Sequence, residues 1–405
     1  MIVSIIGQGY VGLPIAISAA EAGHKVNGFD IDTGKVERLK SGISESPEVT
    51  SEKILRLQSN GNIKFSSDKE NLSDSSIFIL AVPTPLDESH KPDLTFLISA
   101  CEIISKVVKP GALIINESTS YIGTLRNLIK PTIDKLSNIK NLEYAVAPER
   151  IDPGNKNWSV KNTPRVIGGI TSKAVERAVD FYSGFCDHIN SVSKPEVAEA
   201  AKLFENTFRQ VNIALVNEFS DISSHFNFSA NEALIAAATK PFGFMPFYPG
   251  IGVGGHCIPI DPSYLTYSAK EADTDAPLVN IANKINFSNP IKIAKRIKVK
   301  LGGNLRDKEI QIAGITYKPN ISDLRESPAL VLIKELKNLG AKVSWFDPFV
   351  KVYDGEESQP LKSSVDLGLI VTPHDVIDFS IWKTFNINVL DLSSTSKNYG
   401  WPKFL

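Results

Sequence analysis

Cysteine is scarce in this sequence: the 405 residues contain three, Cys101, Cys186 and Cys257. Because their number is odd and they lie far apart, no disulfide framework or zinc ribbon is encoded, and a reducing compartment is the default. Charge imbalance is also missing, since the formal net charge is −1. No strong field favours nucleic acid or an anionic membrane, and we predict a cytoplasmic protein with neither as a partner.

Long hydrophobic runs are absent as well. No stretch of about 18 apolar residues occurs, so nothing in the sequence predicts a membrane span. The first residues, MIVSIIGQGYVGLP, are apolar but lack a basic leader, which favours a strand over a signal peptide. With 42% hydrophobic and 22% charged residues, the chain suits a globular protein of two or three domains.

The N-terminal part of the chain alternates between strand and helix patterns. Its first thirty residues predict a strand, a glycine turn, a helix and a second strand, which is the size of one βαβ unit. Later strand candidates alternate with helical or polar segments, and this predicts a parallel, doubly wound sheet. These candidates are SIFILAV (76–82), ALIINES (112–118) and EYAVAP (143–148).

A long helix and a second half of the same kind follow. From Pro195 to Phe226 apolar residues recur at three, four or seven positions, which predicts an amphipathic helix whose bare flank favours a homodimer or a larger homo-oligomer. Beyond residue 300, GAKVSWFD (340–347) matches GHKVNGFD (23–30) at the glycine, the lysine-valine pair and the aspartate. The predicted fold is therefore α/β, with two Rossmann-like doubly wound domains joined by a long central helix.

A dinucleotide-binding motif lies in the first βαβ unit. Gly7, Gly9 and Gly12 form G-x-G-x-x-G between a predicted strand and a predicted helix. The first glycine allows the tight turn, the second lets a pyrophosphate approach the backbone, and the third lets helix and strand pack closely. Asp30 ends the second strand, where an acid binds the adenosine ribose hydroxyls and repels a 2′-phosphate, so NAD is favoured over NADP.

Polar residues follow three other predicted strands. Pro83 and Thr84 in AVPTP, and Ser118 and Thr119 in NESTS, lie at the carboxyl edge of the sheet where ligands bind, but each segment is also compatible with an ordinary turn. Glu149 in APER lies just past a strand. It is either a solvated acid or, in a partly closed pocket, a general base.

Two basic segments are also open to two interpretations. Lys202, Asn206 and Arg209 lie along one stripe of the long helix, which is either a solvated face or a cation and an amide directed at an oxyanion. Lys318 and Arg325 lie in the loop TYKPNISDLRES after a strand of the second half. This loop is either a phosphate-binding loop for a second nucleotide or an ordinary charged loop.

The segment GVGGHCIPIDP surrounds Cys257 with glycines and places Asp261 four residues later. The glycines favour close approach of a ligand over packing. His256 raises the possibility of zinc, but no second Cys/His pair lies at ligand spacing, so no metal is predicted. A reactive thiol and a buried structural cysteine both remain open from the residues alone.

Together these motifs resemble the UDP-glucose/GDP-mannose dehydrogenase family, from residue 2 to about residue 330. The matching segments are IIGQGYVGLP, FDID, AVPTP, ESTS, APER, AAKLFENTFRQVNIALVNE, PGIGVGGHCIPIDP and GITYKPNISDLRES. The resemblance implies a four-electron oxidation of a nucleotide sugar's C6 alcohol to a carboxylate, with two NAD per cycle. We expect an NAD-binding domain over 1–195, a central helical dimerisation region with the cysteine loop over 196–295, and a UDP-sugar-binding domain over 296–405.

The resemblance also implies a role for each candidate residue. Cys257 matches the nucleophile that forms a thiohemiacetal and then a thioester. Lys202 and Asn206 match the oxyanion stabilisers, and Asp261 matches the acid that works with Lys202. Glu149 matches the base for thioester hydrolysis, and catalytic Thr119 orients water and cofactor. The expected cofactor contacts are Gly7, Gly9, Tyr10, Val11, Gly12, Asp30, Lys35, Pro83, Thr84, Ser118, Thr119 and Arg325. The expected substrate contacts are Glu149, Arg150, Ile151, Lys202, Asn206, Arg209, Tyr248, Gly250, Gly254, Tyr317 and Lys318.

The segment around Cys257 also bears on the sugar. Relatives that use UDP-glucose commonly have GGSCFPKD, whereas this chain has GGHCIPID, and His256 and Ile260 resemble the UDP-N-acetylhexosamine branch. UDP-N-acetylglucosamine is favoured, as a precursor for a surface polysaccharide. UDP-glucose, UDP-N-acetylmannosamine and UDP-N-acetylgalactosamine are alternatives. A two-electron hydroxy-acid dehydrogenase and a non-catalytic nucleotide-sugar-binding protein are the competing classes.

Overall fold

The computed structural model describes residues 1–44, 46, 48–87, 91–151, 155, 157–255 and 258–405. The chain forms two compact units. Unit 1 comprises Met1–Glu205 and Ser263–Asp273, and unit 2 comprises Asn206–Pro262 and Thr274–Leu405. The three predicted domains and the boundaries between them stay a prediction.

The strands and helices alternate along most of the chain. The strands are β1 (Ile2–Ile6), β2 (Lys25–Phe29), β3 (Ile63–Ser66), β4 (Ile77–Leu80), β5 (Leu113–Asn116), β6 (Glu143–Val146), β7 (Arg165–Gly169), β8 (Ile189–Ser191), β9 (Glu309–Ala313), β10 (Lys342–Phe346), β11 (Val352–Tyr353), β12 (Glu356–Glu357), β13 (Leu367–Ile370) and β14 (Val389–Asp391). The helices are α1 (Gly12–Glu21), α2 (Thr33–Lys40), α3 (Ser51–Ser59), α4 (Thr95–Ser105), α5 (Lys130–Ser137), α6 (Ser172–Ser183), α7 (Pro195–His225), α8 (Ala230–Ala237), α9 (Asp261–Glu271), α10 (Pro277–Lys300), α11 (Pro328–Asn338) and α12 (Ser380–Thr384).

Unit 1 contains an eight-stranded sheet in the order β3-β2-β1-β4-β5-β6-β7-β8. All neighbours are parallel except β6 and β7. The first six strands have the Rossmann order, and the order reverses between β1 and β4. Ligands of such sheets bind outside the carboxyl ends of the strands at this reversal, where the G-x-G-x-x-G segment and AVPTP follow β1 and β4.

The central strands are apolar because both faces of the sheet are covered. Along β4, Ile77 and Ile79 join one core with α1, α3 and α6, whereas Phe78 and Leu80 join a second core with α4 and α5. Since successive side chains of a strand point to opposite faces, continuous apolar runs are what a three-layer α/β/α sandwich requires.

Unit 2 repeats this plan on a smaller scale. Its four parallel strands have the order β10-β9-β13-β14, which reverses between β9 and β13 as the first sheet reverses between β1 and β4. α10 and α11 cover one face, and α12 packs on the other. The predicted fold class is confirmed, including the long central helix, which is 31-residue α7. In the described part of the chain, no helix is long and apolar enough to cross a bilayer.

Candidate functional site

Two glycines of the G-x-G-x-x-G turn are required by packing. Gly7 has a φ of +94°, and a Cβ there would lie 2.3 Å from the Ala81 carbonyl oxygen. A Cβ on Gly12 would lie 1.9 Å from the Gly7 carbonyl oxygen. At Gly9 a Cβ would meet no described atom within 4 Å. Protein packing thus explains the first and third glycines, and the space in front of Gly9 is open to a ligand.

Asp30 lies directly after β2, beside this turn. Its Oδ2 accepts hydrogen bonds from the Gln8 backbone N–H and from Lys35 Nζ, both at 2.9 Å, and its Oδ1 accepts one from the Asp32 N–H at 3.0 Å. Gly9, Tyr10 and Lys35 line a small cavity next to the turn. Open space at the N-terminus of α1 and a carboxylate at the end of β2 fit the pyrophosphate and adenosine ribose of NAD.

The polar residues after β4 and β5 lie close together. Ser118 Oγ accepts a hydrogen bond from the Val82 N–H and donates one to the Val82 carbonyl, each at 2.9 Å. The Ser118 hydroxyl therefore holds the AVPTP segment in place. Thr84 is buried, Pro83 is exposed and Thr119 is half-buried.

Glu149 belongs to a buried network that the sequence did not predict. The Arg165 guanidinium in β7 donates to Glu149 Oε2 at 2.6 Å and to Glu117 Oε2 at 2.7 Å. Tyr182 donates its hydroxyl proton to the other oxygen of Glu117. Glu149 Oε1 also accepts the backbone N–H groups of Arg150 and Ile151, at 2.6 and 2.7 Å.

The two carboxylates of this network differ in pKa. Burial alone would raise the pKa of Glu149, but Arg165 and the two backbone N–H groups outweigh it and hold the pKa below its usual value. Glu117 has no backbone donor of this kind, and burial raises its pKa to about 7 despite Arg165. Glu149 is therefore ionised at neutral pH and is not the solvated acid that the sequence left open.

The three residues predicted along α7 have different environments. Lys202 is buried, Asn206 is half-buried and Arg209 is exposed, so they do not share one solvated face. Asn206 Nδ2 donates to Asp261 Oδ2 at 2.5 Å within unit 2. The predicted nucleophile Cys257 and its neighbour His256 lie outside the described residues.

Arg150 is engaged within unit 1. Its guanidinium donates twice to the Glu205 carboxylate, at 2.6 and 3.1 Å, and once to the Pro164 carbonyl at 2.7 Å. A substrate contact through this side chain stays a prediction. Among the other predicted contacts, Val11 directly precedes α1 and makes no side-chain capping hydrogen bond, and Tyr248 is half-buried.

Three glycines before Cys257 are required by packing. Close approach of a ligand to them stays a prediction, whereas a Cβ on Gly254 or Gly255 would lie 2.6 or 2.7 Å from the Tyr317 side chain. A Cβ on Gly250 would lie 2.7 Å from Ser394 Cβ. All three glycines are therefore needed for packing within unit 2: Gly254 and Gly255 against the loop that carries Lys318, and Gly250 against Ser394 after β14.

The loop after β9 is tied to the glycine segment. The Gly255 N–H donates to the Arg325 carbonyl at 3.0 Å. The Arg325 guanidinium pairs with the Asp323 carboxylate, with contacts of 2.6 to 3.0 Å. Tyr317 and Lys318 are half-buried in the same loop. Its backbone thus sets the position of the segment that leads to Cys257.

Buried asparagines hold Gly250 from two helices. The Gly250 N–H donates to Asn217 Oδ1 of α7 at 3.0 Å, and the Gly250 carbonyl accepts from Asn289 Nδ2 of α10 at 2.7 Å. Asn217 also donates to Asn286 Oδ1 at 3.1 Å. None of these asparagines was predicted from the sequence: Asn286 and Asn289 lie on α10, which was not predicted, and the Asn217 contact depends on that helix.

The fold and the glycine turn define a Rossmann-type dinucleotide-binding protein with a second, smaller sheet of the same plan. Three models of one family match the chain: UDP-glucose/GDP-mannose dehydrogenase family, NAD binding domain over residues 1–186, central domain over 196–288 and UDP binding domain over 311–389. The chain belongs to the UDP-glucose/GDP-mannose dehydrogenase family.

Individual relatives cover most of the chain. It is 36% identical to the UDP-N-acetyl-D-glucosamine 6-dehydrogenase of Pseudomonas aeruginosa over 87% of this chain and 84% of that protein. It is 37% identical to Protein CapL of Staphylococcus aureus over 84% of this chain and 81% of that protein. The solved structure of a UDP-D-ManNAc dehydrogenase from Pyrococcus horikoshii has a TM-score of 0.89 at 32% identity and covers 100% of this chain and 97% of that one.

These similarities confirm the predicted class of protein. The chain is an NAD-dependent oxidoreductase of the nucleotide-sugar dehydrogenase type, and a UDP-sugar is its substrate class. They do not distinguish the sugar, because the relatives carry the names of two different UDP-N-acetylhexosamine dehydrogenases.

Proposed function

We propose that this protein oxidises the C6 hydroxyl of a UDP-N-acetylhexosamine, with UDP-N-acetylglucosamine favoured, to the uronic acid for a surface-polysaccharide precursor. Support for the sugar comes from GGHCIPID around Cys257 and from the Pseudomonas aeruginosa relative named for UDP-N-acetyl-D-glucosamine. The observation that carries the dehydrogenase activity is the glycine turn, which is open at Gly9 and lies beside the Asp30 carboxylate.

NAD, when bound, supplies the hydride acceptor. Gly9 and the N–H groups at the start of α1 would face its pyrophosphate, and Asp30 its adenosine ribose. Lys35 donates to Asp30 at 2.9 Å, so it neutralises part of the carboxylate charge beside that ribose.

Cys257 is proposed as the nucleophile that holds the sugar C6 first as a thiohemiacetal and then as a thioester, which water cleaves to the acid. A covalent thiol adduct accounts for a four-electron oxidation without release of the aldehyde. Lys202 and Asn206 are proposed to stabilise the oxyanions, and the hydrogen bond from Asn206 to Asp261 orients that amide.

Glu149 is proposed to orient the hydrolytic water rather than to store a proton. An ionised carboxylate has about four acceptor positions, and three of those on Glu149 are used by Arg165, Arg150 and Ile151. One position therefore remains for a water. Because the pKa of Glu149 is held low, its contribution is electrostatic and geometric more than basic.

A substrate panel tests the proposal. The purified protein is supplied with NAD and, separately, UDP-glucose, UDP-N-acetylglucosamine, UDP-N-acetylgalactosamine, UDP-N-acetylmannosamine and GDP-mannose, and NADH formed per sugar consumed is measured. We expect about two NADH per sugar, with the largest kcat/KM for UDP-N-acetylglucosamine. One NADH per turnover and no dependence on a UDP-sugar would favour a two-electron hydroxy-acid dehydrogenase instead.

The covalent step has its own test. Cys257→Ser should abolish formation of the uronic acid, because a serine hydroxyl cannot form the thiohemiacetal and the thioester of the proposed route. Acid formation by Cys257→Ser at the wild-type rate would contradict the mechanism while leaving the substrate assignment intact. Binding of NAD and UDP-sugar without any turnover by the wild-type protein would favour the non-catalytic alternative.

A further inference from the structure

His374 is a fully buried titratable residue outside the machinery described above. It lies after β13 in unit 2, and its side chain and that of Asp347 are both 0% exposed. Neither residue was predicted as functional.

The turn after β9 reproduces the glycine turn after β1. The Gly314 N–H donates to the Phe346 carbonyl at 2.8 Å, and the Gly7 N–H donates to the Phe29 carbonyl at 2.8 Å. A Cβ on Gly314 would lie 1.8 Å from the Thr372 carbonyl oxygen, as one on Gly7 would lie 2.3 Å from that of Ala81. Each glycine thus permits a tight turn at the equivalent place in its own sheet: Gly7 after β1, and Gly314 after β9.

The acid after the second strand is also reproduced. Asp347 Oδ2 accepts the Ile315 N–H at 2.8 Å, and Asp30 Oδ2 accepts the Gln8 N–H at 2.9 Å. The other oxygen of Asp347 accepts the N–H two residues later, at 2.9 Å, and the other oxygen of Asp30 does the same at 3.0 Å. Asp347 is thus the geometric counterpart of the ribose-binding Asp30.

The surroundings of Asp30 and Asp347 differ in the side chain that contacts the carboxylate. In unit 1 that partner is Lys35, a flexible side chain that is 24% exposed and able to move aside for a ligand. In unit 2 it is His374, whose Nε2 lies 3.0 Å from Asp347 Oδ2. A ribose hydroxyl therefore has no approach to Asp347 unless this buried imidazole is displaced.

The imidazole instead fixes the loop that carries Lys318. His374 Nδ1 accepts the Asn320 backbone N–H at 2.9 Å, so the ring proton resides on Nε2 and points to Asp347. Thr316 Oγ1 lies 3.2 Å from Nε2 and donates to the Lys318 carbonyl at 3.0 Å. One ring thus holds the loop directly at Asn320 and, through Thr316, at Lys318.

We propose that His374 is a positioning residue for nucleotide-sugar binding: it takes the place of a ribose on Asp347 and thereby sets the backbone of residues 316–320, including Tyr317 and Lys318. The inference rests on the proposed function, since it takes this loop as part of the UDP-sugar site. In this arrangement the second sheet keeps the frame of a dinucleotide-binding domain but has its ribose acceptor occupied by the protein itself.

Substitutions at His374 separate the contacts of its two ring nitrogens. His374→Leu removes the contacts of both nitrogens. His374→Asn keeps an acceptor near the position of Nδ1 for the Asn320 N–H, and His374→Gln keeps a donor near Nε2 for Asp347. We expect His374→Leu to raise KM for UDP-N-acetylglucosamine about tenfold or more, with kcat and KM for NAD within about twofold of wild type. His374→Asn should recover most of the loss, because it retains the bond to the loop.

A matched control addresses general destabilisation of unit 2. Gln311 is buried in β9 and hydrogen-bonds the carbonyls of Gln359 and Pro360, away from the loop. Gln311→Leu should lower the melting temperature without changing KM for UDP-N-acetylglucosamine. An equal rise of KM in Gln311→Leu, or a parallel loss of NAD affinity in His374→Leu, would overturn the positioning role.

Hydrogen–deuterium exchange of the ligand-free, full-length enzyme tests, without any substrate, whether His374 holds residues 316–320 in place. Amides of residues 316–320 should exchange faster in His374→Leu than in wild type, and those of the glycine turn after β1 should not change. Unchanged exchange at 316–320 would refute the inference even if UDP-N-acetylglucosamine proved not to be the substrate. Faster exchange with no UDP-sugar binding by wild type would instead refute the proposed function. If His374→Leu does not fold, His374→Gln, which also loses the Asn320 bond, provides the same comparison.

Discussion

At the scale of single residues, two glycines of the turn after β1 have different roles, one in ligand binding and the other in packing of the folded chain. Gly9 and Gly12 belong to the same motif, but a Cβ meets no described atom within 4 Å at Gly9 and lies 1.9 Å from the Gly7 carbonyl oxygen at Gly12. Gly9→Ala should therefore fold normally and lose NAD affinity by roughly tenfold, which is about 1.4 kcal/mol of binding free energy. Gly12→Ala should lower the melting temperature.

Calorimetric titration with NAD and thermal unfolding of both variants check this prediction. Normal NAD affinity in Gly9→Ala would mean that the pyrophosphate does not approach this glycine. A melting temperature of Gly12→Ala equal to that of wild type would contradict the packing argument. The UDP-sugar titration serves as the internal control, since it is expected to be unchanged in Gly9→Ala.

Glu117 gives stability a defined pH dependence. Its pKa is raised by burial from 4.5 to about 7 in the folded protein. Between these pH values the unfolded chain loses the proton and the folded chain keeps it, so stability falls as pH rises and the loss is complete above about pH 7. Glu117→Gln removes this titration. Its stability relative to wild type should rise by roughly 1–3 kcal/mol from pH 5 to pH 8.

Chemical denaturation at several pH values measures this difference. The change with pH matters rather than the absolute value, because the amide also alters the contacts with Arg165 and Tyr182. Glu357→Gln, on an exposed strand, is the control and should run parallel to wild type. A parallel profile for Glu117→Gln would show that Glu117 is already ionised at pH 5 in the folded state.

The residues predicted from sequence and those missed differ in how far apart their partners lie. Gly7, Gly9, Gly12 and Asp30 fall within one βαβ unit, so their spacing alone reports the geometry. His374 reaches Asp347 and Thr316, which are 27 and 58 residues away. Only one sign of it was in the sequence, the aspartate shared by GHKVNGFD and GAKVSWFD.

At the scale of elements, α7 and α10 form the support of the loop at Gly250. The Gly250 carbonyl is buried and accepts from Asn289 Nδ2 at 2.7 Å. Asn289→Leu should leave this carbonyl without its donor, at a cost of about 1–3 kcal/mol in the free energy of unfolding. Because Gly250 belongs to the proposed substrate loop, KM for the UDP-sugar should rise while KM for NAD stays constant.

Denaturant unfolding and steady-state kinetics measure the two effects. Asn212→Ala is the control, since Asn212 lies on α7, the other helix of this support, but its amide donates to the Phe208 carbonyl of the same helix and not to Gly250. The control should change neither KM. If Asn289→Leu lost stability without a change in KM for the UDP-sugar, the asparagines would support the fold only.

The same helix explains where sequence-based prediction of elements failed. Strands β1, β4, β5 and β6 were predicted because parallel strands covered on both faces are mostly apolar, and β2 (KVNGF) was predicted because it completes the first βαβ unit. α10 was missed since its buried face carries asparagines at 283, 286 and 289, and Pro290 lies in its interior. Polar residues on a buried face reverse the periodicity by which helices are recognised. β8 was missed because it has three residues and little burial.

At the scale of the whole molecule, an apolar face of α7 predicts self-association. Phe208, Leu215 and Ile222 are spaced by seven residues on this helix and are 42%, 60% and 53% exposed. Residues seven apart lie on one side of a helix, and large exposed apolar faces mark interfaces. The homodimer expected from the sequence stays a prediction, and this face of α7 is its proposed interface.

Leu215→Glu tests the interface directly. In a dimer the new carboxylate would be buried between two copies without a partner, whereas in the monomer it stays in water. The free-energy cost of that burial is large, so the variant should sediment as a monomer at micromolar concentration. Val299→Glu, at an exposed valine near the end of α10, should keep the wild-type mass. Analytical ultracentrifugation distinguishes the cases: a monomeric wild type would refute the dimer, and a dimeric Leu215→Glu would place the interface elsewhere than on this face of α7.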